Sequence, residues 1–357
     1  MIRRKMGAIP MDSHHPRLNN LHGPKDHAGH GHLPIVEEIE GLIKVYKDGH
    51  VERLPVMPEV PPSLSPNNEV LSKDMVINHS NGVWARFYIP MHHLHGHRYD
   101  HLPPLLVYFH GGGFCIGSAA WKCYHDFLSR LALESSCLIM SVNYRLAPEH
   151  RLPAAYEDGL TAVKWLRNQA SSEDQSFWSS HCNLSKVFLA GDSAGGAIAY
   201  YVATQLGHYG MIKGVILIQP FFGGEERTSS EKSLEQSAKS ALSLPTSDTY
   251  WRLALPPGAD RNHRFCNPFG RGAPKLDHQL KIPPMLVCIS ELDILRDRTL
   301  GFCMALRMAG KKVEHKVYNG VGHAFQILNH SHLSQARTLD MINHMKTFIS
   351  SSIITTR

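Results

Sequence analysis

Residues Ser185–Tyr200 read SKVFLAGDSAGGAIAY, and the two halves of this stretch follow different rules. Val187, Phe188, Leu189 and Ala190 form a short apolar run with a β-branched and an aromatic member, the pattern of a buried strand. Gly191-Asp192-Ser193-Ala194-Gly195 follows, and then Gly196 to Thr204, a small-residue segment that reads as a helix. Small flanking residues let the backbone cross itself closely at a sharp strand-to-helix turn. Such a turn pushes the Ser193 hydroxyl out over the sheet edge and leaves the amide of Ala194 free to donate. The competing reading is a glycine-rich turn whose serine merely caps the next helix.

Working outward, Leu105–Phe109 (LLVYF) reads as an interior strand that runs into His110-Gly111-Gly112-Gly113-Phe114. Ala120–Glu134 is helical in pattern, with Phe127, Leu128, Leu131 and Ala132 inward, and Leu138–Val142 is the next strand. Ala154–Gln169 reads as a helix with Leu160, Val163, Trp165 and Leu166 inward. Strands follow at Ile212–Ile218, Met285–Ser290 and Val313–Tyr318, with helices at Thr299–Ala309 and Ala336–Ile349. The last helix carries an apolar stripe of Leu339, Ile342, Met345, Phe348 and Ile349. Apolar strands alternating with helical spacers predict an α/β fold, with a mostly parallel sheet covered by helices on both faces.

Strands are also expected at Ser72–Ile77 and Val83–Ile89, and a polar, histidine-rich connection spans His92–Leu102. Earlier, Leu42–Tyr46 and Val51–Leu54 predict a hairpin across Asp48-Gly49, and the part before Gly41 is expected to be helical. Pro55, Pro58, Pro61, Pro62 and Pro66 predict an extended crossing. Gly223–Leu242 is too polar for interior sheet, and Ser247–Leu255 has a helical look. The domain expectation is therefore a single unit over 35–350, with a cap formed by about 35–70 and 223–265. Residues 1–34 have too few aliphatic side chains to offset the entropy of ordering and read as a disordered tail. Its histidines, His14, His15, His22, His27, His30 and His32, are read as part of that tail in preference to a weak metal site.

The totals narrow the function. The chain has 357 residues, 43% of them hydrophobic, which allows a large core. Lys plus Arg is 37 against 31 for Asp plus Glu, and the excess forms no long basic run, so nucleic acid is not an expected partner. Cys115, Cys123, Cys137, Cys182, Cys266, Cys288 and Cys303 are scattered, which suits a reducing compartment. No long apolar segment suggests a membrane span, and the start lacks the apolar core of a secretory signal. Cytosol, or nucleus, is the default location. Monomer and homodimer both stay open.

Three chemical groups each follow a predicted strand. Ser193 is the candidate nucleophile, Asp293 lies 100 residues later, and His323 lies 30 residues after that. A serine hydroxyl is a poor nucleophile at neutral pH and needs a base to take its proton. Histidine can take that proton and return it to a leaving group, because its pKa lies near working pH. A carboxylate fixes the imidazole tautomer and stabilises its cation. Glu291 and Asp297 are the rivals of Asp293 for that role. A plain strand-end cap for Asp293 and a plain loop histidine for His323 are the bland alternatives.

The oxyanion formed on attack needs donors, and the glycines after LLVYF leave the amides of Gly112 and Gly113 accessible beside that of Ala194. HGGGFCIGS matches neither GxxxxGK[ST] nor GxGxxG, which argues against a phosphate loop. Phe114, Phe222 and Trp251, with Phe221, are candidate walls for a small-molecule site, and core packing competes for Phe221 and Trp251. No metal or organic cofactor is required.

Taken together, HGGGFCIGS (110–118), SVNYRLAPEHRLPAAYEDG (141–159), GDSAGG (191–196), ELD (291–293) and GVGHAF (320–325) resemble plant carboxylesterases of the hormone-sensitive-lipase-like branch of the α/β-hydrolases. The resemblance covers about residues 38 to 350. It implies a triad of Ser193, Asp293 and His323, an oxyanion hole at Gly112, Gly113 and Ala194, and hydrolysis of small esters without a cofactor. It also implies that Arg145 and Glu149 are structural. FFGGEERTSSE (221–231) and the segment 251–270 look like the subset acting on small plant metabolites and hormones, strigolactones among them. The same branch holds gibberellin receptors, which lack the catalytic histidine, and dehydratases, which often carry threonine at the position of Ser193. These are the alternative functions, and this chain keeps both His323 and Ser193.

Overall fold

Among the described residues the main sheet has eight strands, and the stretch 185–200 lies at its middle. The computed structural model describes residues 33–63, 69–93, 102–171, 181–234, 240–277, 279–328 and 330–354. The histidine-bearing segment 1–32 and the connection 94–101, with the expectations attached to them, lie outside the described residues. Strands β1 (Ile35–Ile39), β2 (Ile43–Tyr46) and β3 (Val51–Arg53) form a small antiparallel sheet. Then come β4 (Val70–Asn78), β5 (Val83–Pro90), β6 (Pro104–Phe109), β7 (Leu138–Asn143), β8 (Asn183–Asp192), β9 (Ile212–Ile218), β10 (Met285–Ser290) and β11 (Val313–Tyr318). Their order across the sheet is β11-β10-β9-β8-β6-β7-β5-β4. From β7 to β11 the pairs are parallel; β4 and β5 add antiparallel strands at one edge.

The helices are α1 (Lys122–Ser135), α2 (Ala154–Ser171), α3 (Ala194–Leu206), α4 (Ser229–Ser233), α5 (Leu244–Ala254), α6 (Arg296–Met308), α7 (Phe325–Leu328) and α8 (His332–Ile354). Strand alternation sorts the core into two layers. Leu105, Val107, Val187, Leu189, Val215, Leu217 and Val287 face the layer of α2, α3 and α6. Leu106, Tyr108, Phe188, Ala190, Ile216, Ile218 and Cys288 face the layer of α1 and α8. Interior strands buried on both faces must be apolar at every position, which is why they read as continuous runs rather than alternations.

Strand β6 is flanked by β7 on one side and β8 on the other, so the chain reverses its direction of travel across the sheet there. Loops leaving neighbouring strands at such a point diverge and open a crevice beyond their C-terminal ends. The glycine loop leaves β6 and Ser193 follows β8, so both candidates stand at this switch.

Two expectations are corrected. The part before Gly41 is a strand: β1 pairs with β2, Ile39 opposite Ile43. Gly41, at φ 73°, reverses the chain after only five residues, too few for a helix to gain on its nucleation cost. Leu339 is 39% exposed, and Met341 is buried instead. The final helix starts at His332 rather than Ala336, and its inward face runs through Ser334, Thr338, Met341, Ile342, Met345, Phe348 and Ile349.

Beyond the sheet, Arg53 on β3 reaches the carbonyls of Cys115 and Ala147 and forms an ion pair with Glu149. Arg252 on α5 pairs with Glu37 on β1, and Arg151 donates to the carbonyls of Arg252 and Leu255. The proline-bearing segment after β3 runs extended along the start of α1, with Val60 N donating to Ala120 O and Lys122 N to Pro58 O. Among the described residues, no helix is long and apolar enough to cross a membrane.

Candidate active site

Ser193 has φ 52° and ψ −119°, a backbone conformation that L-residues avoid unless the surroundings impose it. The surroundings here are tight. A Cβ on Gly195 would fall inside the carbonyl of Phe109, and one on Gly191 would meet the backbone of Gly195. Only hydrogen fits at these two positions, so β8 can turn directly into α3 against the end of β6. Backbone bonds hold the turn from the other side: Ser193 N donates to Ile218 O, and Phe221 N donates to Ser193 O.

The three candidate groups come together. The Ser193 hydroxyl lies 2.9 Å from His323 Nε2, and His323 Nδ1 lies 2.7 Å from Asp293 Oδ2. Ser193, Asp293 and His323 are 7%, 1% and 6% exposed. The second oxygen of Asp293 accepts from Leu295 N, which orients the carboxylate. With Nδ1–H donated to Asp293, Nε2 is left as the acceptor facing the serine hydroxyl. Burial by itself would lower the His323 pKa. The charge and hydrogen bond of Asp293, aided by the charge of Asp192, outweigh it and hold the imidazole above its ordinary value. The rival carboxylates are engaged elsewhere. Glu291 accepts from Gly320 N, and Asp297 accepts from Ser230 N and from Arg296.

The glycine loop leaves β6 beside this turn. Gly112 and Gly113 have φ of 109° and 58°, and Gly112 O accepts from Cys115 N and Ile116 N in a tight bend. Gly113 lies against the ring of Tyr250 on α5, so any side chain there would displace the tyrosine. Ala194 opens α3, where the first amides of a helix have no partner within the helix.

Asp192, the residue before the serine, is buried and ties this loop to the turn. Tyr108 and Tyr124 hydroxyls donate to its two oxygens at 2.8 and 3.0 Å, and Tyr124 in turn accepts from Gly111 N at 2.7 Å. Burial raises the Asp192 carboxyl to about 6, against the tyrosine bonds and the charge of His323. His110 is stacked on Tyr144 at 4.2 Å, and the Tyr144 hydroxyl donates to His110 O. Burial pushes His110 down to about 4, so the ring beside the loop is neutral at working pH.

A family model described as alpha/beta hydrolase fold matches residues 106–327, a span that holds the glycine loop, Asp192, Ser193, Asp293 and His323. The chain belongs to the α/β-hydrolase fold family. Within it, the chain is similar to probable carboxylesterase 6 of Arabidopsis thaliana, at 47% identity over 94% of both chains. It is similar to tuliposide A-converting enzyme b1 of Tulipa gesneriana, at 34% identity over 87% of this chain and 79% of the relative. Among solved structures, it resembles the hyperthermophilic esterase of Pyrobaculum calidifontis with a TM-score of 0.65 and 28% identity, over 78% of this chain and 85% of that one. It also resembles a fungal esterase of Rhizomucor miehei with a TM-score of 0.67 and 26% identity, over 82% and 86%.

In this hydrolase chain the aromatic candidates form a packed cluster. Phe221 and Trp251 stack at 4.5 Å with an interplanar angle of 1°, and Phe114 lies 5.6 Å from Trp251. Phe222 turns toward Tyr200 and Phe302 and lines a small cavity with Tyr156 and Phe265. Arg145 holds the buried carboxylate of Asp158, and Glu149 holds Arg53. Sequence reasoning passed over Asp192, Tyr124, Gln219 and Ser240. Asp192 lay inside a quoted motif, but its partners are 84 and 68 residues away. Ser240, whose hydroxyl accepts from His323 N, has no signal in a serine-rich segment.

Proposed function

We propose that the chain hydrolyses carboxylic esters of small molecules through an acyl-enzyme, with Ser193 as nucleophile, His323 as base and acid, and Asp293 as the group that orients it. In the first half-reaction, His323 Nε2 takes the Ser193 proton as Oγ attacks the ester carbonyl. The tetrahedral oxyanion is received by the amides of Gly112, Gly113 and Ala194, where a preorganised donor is typically worth about 3 kcal/mol in the transition state. The imidazolium then gives its proton to the departing alcohol. In the second half-reaction His323 takes a proton from water, the hydroxide oxygen attacks the acyl carbonyl, and Ser193 leaves with the proton returned to it. The segments about 35–70 and 223–265 act as a cap, with Tyr250 against Gly113 and Arg53 bonded to Cys115 O.

One observation carries the reading: a single buried imidazole bonded through both nitrogens, to a carboxylate on one side and to a serine at positive φ on the other. Relatives named as carboxylesterases and esterases support the same chemistry. The tulip relatives, named for converting tuliposide A, favour small plant metabolites as substrates, and hormone lactones such as strigolactones are part of this reading from the sequence motifs.

The deciding experiment is turnover of acetyl, butyryl and longer aryl esters, together with plant metabolite esters and lactones, by the wild type and Ser193→Ala. Loss of the nucleophile should lower kcat by about 10⁴-fold or more while the melting temperature holds. Undiminished turnover in S193A rejects the assignment. Tight ligand binding with no product in the wild type points to a receptor, and product formation without a released acid points to a dehydratase.

A further inference from the structure

His323 stands on the loop after β11, which among the described residues is an edge strand paired only with β10. Its two partners come from other loops, Ser193 after β8 and Asp293 after β10. Each strand therefore delivers its group with its own freedom, and the ring is useful only if the three loops share one frame. Residues 218–221, leaving β9 between the nucleophile strand and the acid strand, bond to the backbone of Ser193, to the end of β10 that leads to Asp293, and to the loop of His323. Ile218 O and Phe221 N bond the backbone of Ser193 on either side. Gln219 N donates to Cys288 O on β10 at 2.8 Å. The Gln219 side chain then spans β10: Nε2 donates to Ser290 Oγ at 2.7 Å, and Oε1 accepts from Ala324 N, the residue after the histidine, at 2.6 Å.

We propose that Gln219 is the positioning residue that locks the His323 loop to the nucleophile and acid loops, and so sets the place of the imidazole between Ser193 and Asp293. Several features fit this role. Gln219 is 2% exposed and sits at φ 47°, and Ala324 sits at φ 59°. Two non-glycine residues at positive φ that bond each other show that the surroundings impose both conformations. The amide is also the group the place requires. It offers an acceptor to Ala324 and donors to Ser290 and, at 3.4 Å, to Gln326 Oε1. A carboxylate has no donor for these, and an apolar side chain of the same length has neither.

The proposal rests on the reading of Ser193, Asp293 and His323 as the catalytic set, and its test separates the two. Gln219→Met keeps the length and volume while removing all three side-chain bonds; Ser290→Ala removes one anchor and leaves the Ala324 bond. Each is compared with the wild type by thermal melt, by steady-state hydrolysis of a short-chain aryl ester, and by the downfield proton resonance of the His323–Asp293 hydrogen bond. That resonance reports geometry without turnover, so it is read even if ester hydrolysis proves to be the wrong activity. Misplacing a reacting group by about 1 Å can cost about 10²-fold. Q219M should lose about that much in kcat with KM within about threefold, and its downfield proton should broaden or move upfield. S290A should change both in the same direction by less. If Q219M does not fold, S290A alone decides. A wild-type kcat with an unshifted proton in the folded variant overturns the proposal.

Discussion

His323 is buried, and burial alone favours its neutral form; two carboxylates reverse the outcome. Asp293 acts through charge and a 2.7 Å hydrogen bond, and Asp192 acts through charge from beneath the serine. In the proposed reaction the neutral imidazole is the active base, so the rate falls as pH drops through its raised pKa. The acid limb of kcat/KM should therefore lie above the ordinary histidine value of about 6.5. Asp192→Asn deletes one of the two charges, lowers the histidine pKa and should move that limb toward lower pH. A pH–rate profile of both proteins checks this, and an unmoved limb excludes Asp192 from the electrostatics. Asp293→Asn should be far more damaging, by about 10⁴-fold in kcat, because the amide selects the wrong tautomer as well as removing the charge. At this scale, the three catalytic candidates and the loop glycines were readable as candidates because each is a distinctive residue type soon after a predicted strand. Asp192 and Gln219 were not, because their meaning lies in partners 84 and 105 residues away.

Two glycines in helices show how differently an element can use the same residue. Gly195, in the first turn of α3, packs on the carbonyl of Phe109, and backbone is the least able of neighbours to yield. Gly195→Ala should destabilise by about 2 kcal/mol or more and also lower activity, because α3 cannot move off β6 without carrying Ser193 with it. Gly301, in the middle of α6, has nothing within 4 Å of where its Cβ would lie. Gly301→Ala should stabilise by about 0.5–1 kcal/mol with activity unchanged. Urea unfolding of both variants reads the contrast; equal effects would mean that contact geometry is not what separates the sites. The elements themselves were legible where both faces of a strand are buried, as in β6, β8, β9 and β10. They were least legible at the periphery. The glutamates of β1 favour a helix by propensity, but pairing with β2 and the turn at Gly41 prevail. Leu339 fits a helical stripe by spacing, but the buried face of α8 runs through Thr338, Met341 and Ile342 instead.

Across the whole molecule, strand order was not readable from the sequence, since the run of alternating elements is the same whichever way the chain crosses the sheet. Nor was the way the polar insert after β9 is fastened. Its short helix α4 begins with a capping box, Thr228 with Glu231, and is held by the first turn of α6 just beyond Asp293. Ser230 bonds Asp297 and Ile294 O, while Arg298 donates to both oxygens of Glu231, with side chains only 15% and 5% exposed. An exposed ion pair would contribute little, but truncating one partner of a buried pair leaves a desolvated charge. Arg298→Ala should therefore destabilise by about 3 kcal/mol, and the double replacement Arg298→Met with Glu231→Leu should recover most of that loss by removing the stranded charge. Chemical denaturation of the single and double variants measures both. If R298A unfolds within about 1 kcal/mol of the wild type, water reaches Glu231, as it would at an ordinary surface pair. The insert would then be held by the capping box, the Ser230 bonds and the Arg227–Asp248 pair rather than by Arg298 and Glu231. If the double variant is stable but its kcat falls, the ion pair serves the acid loop beside Asp293 rather than the fold.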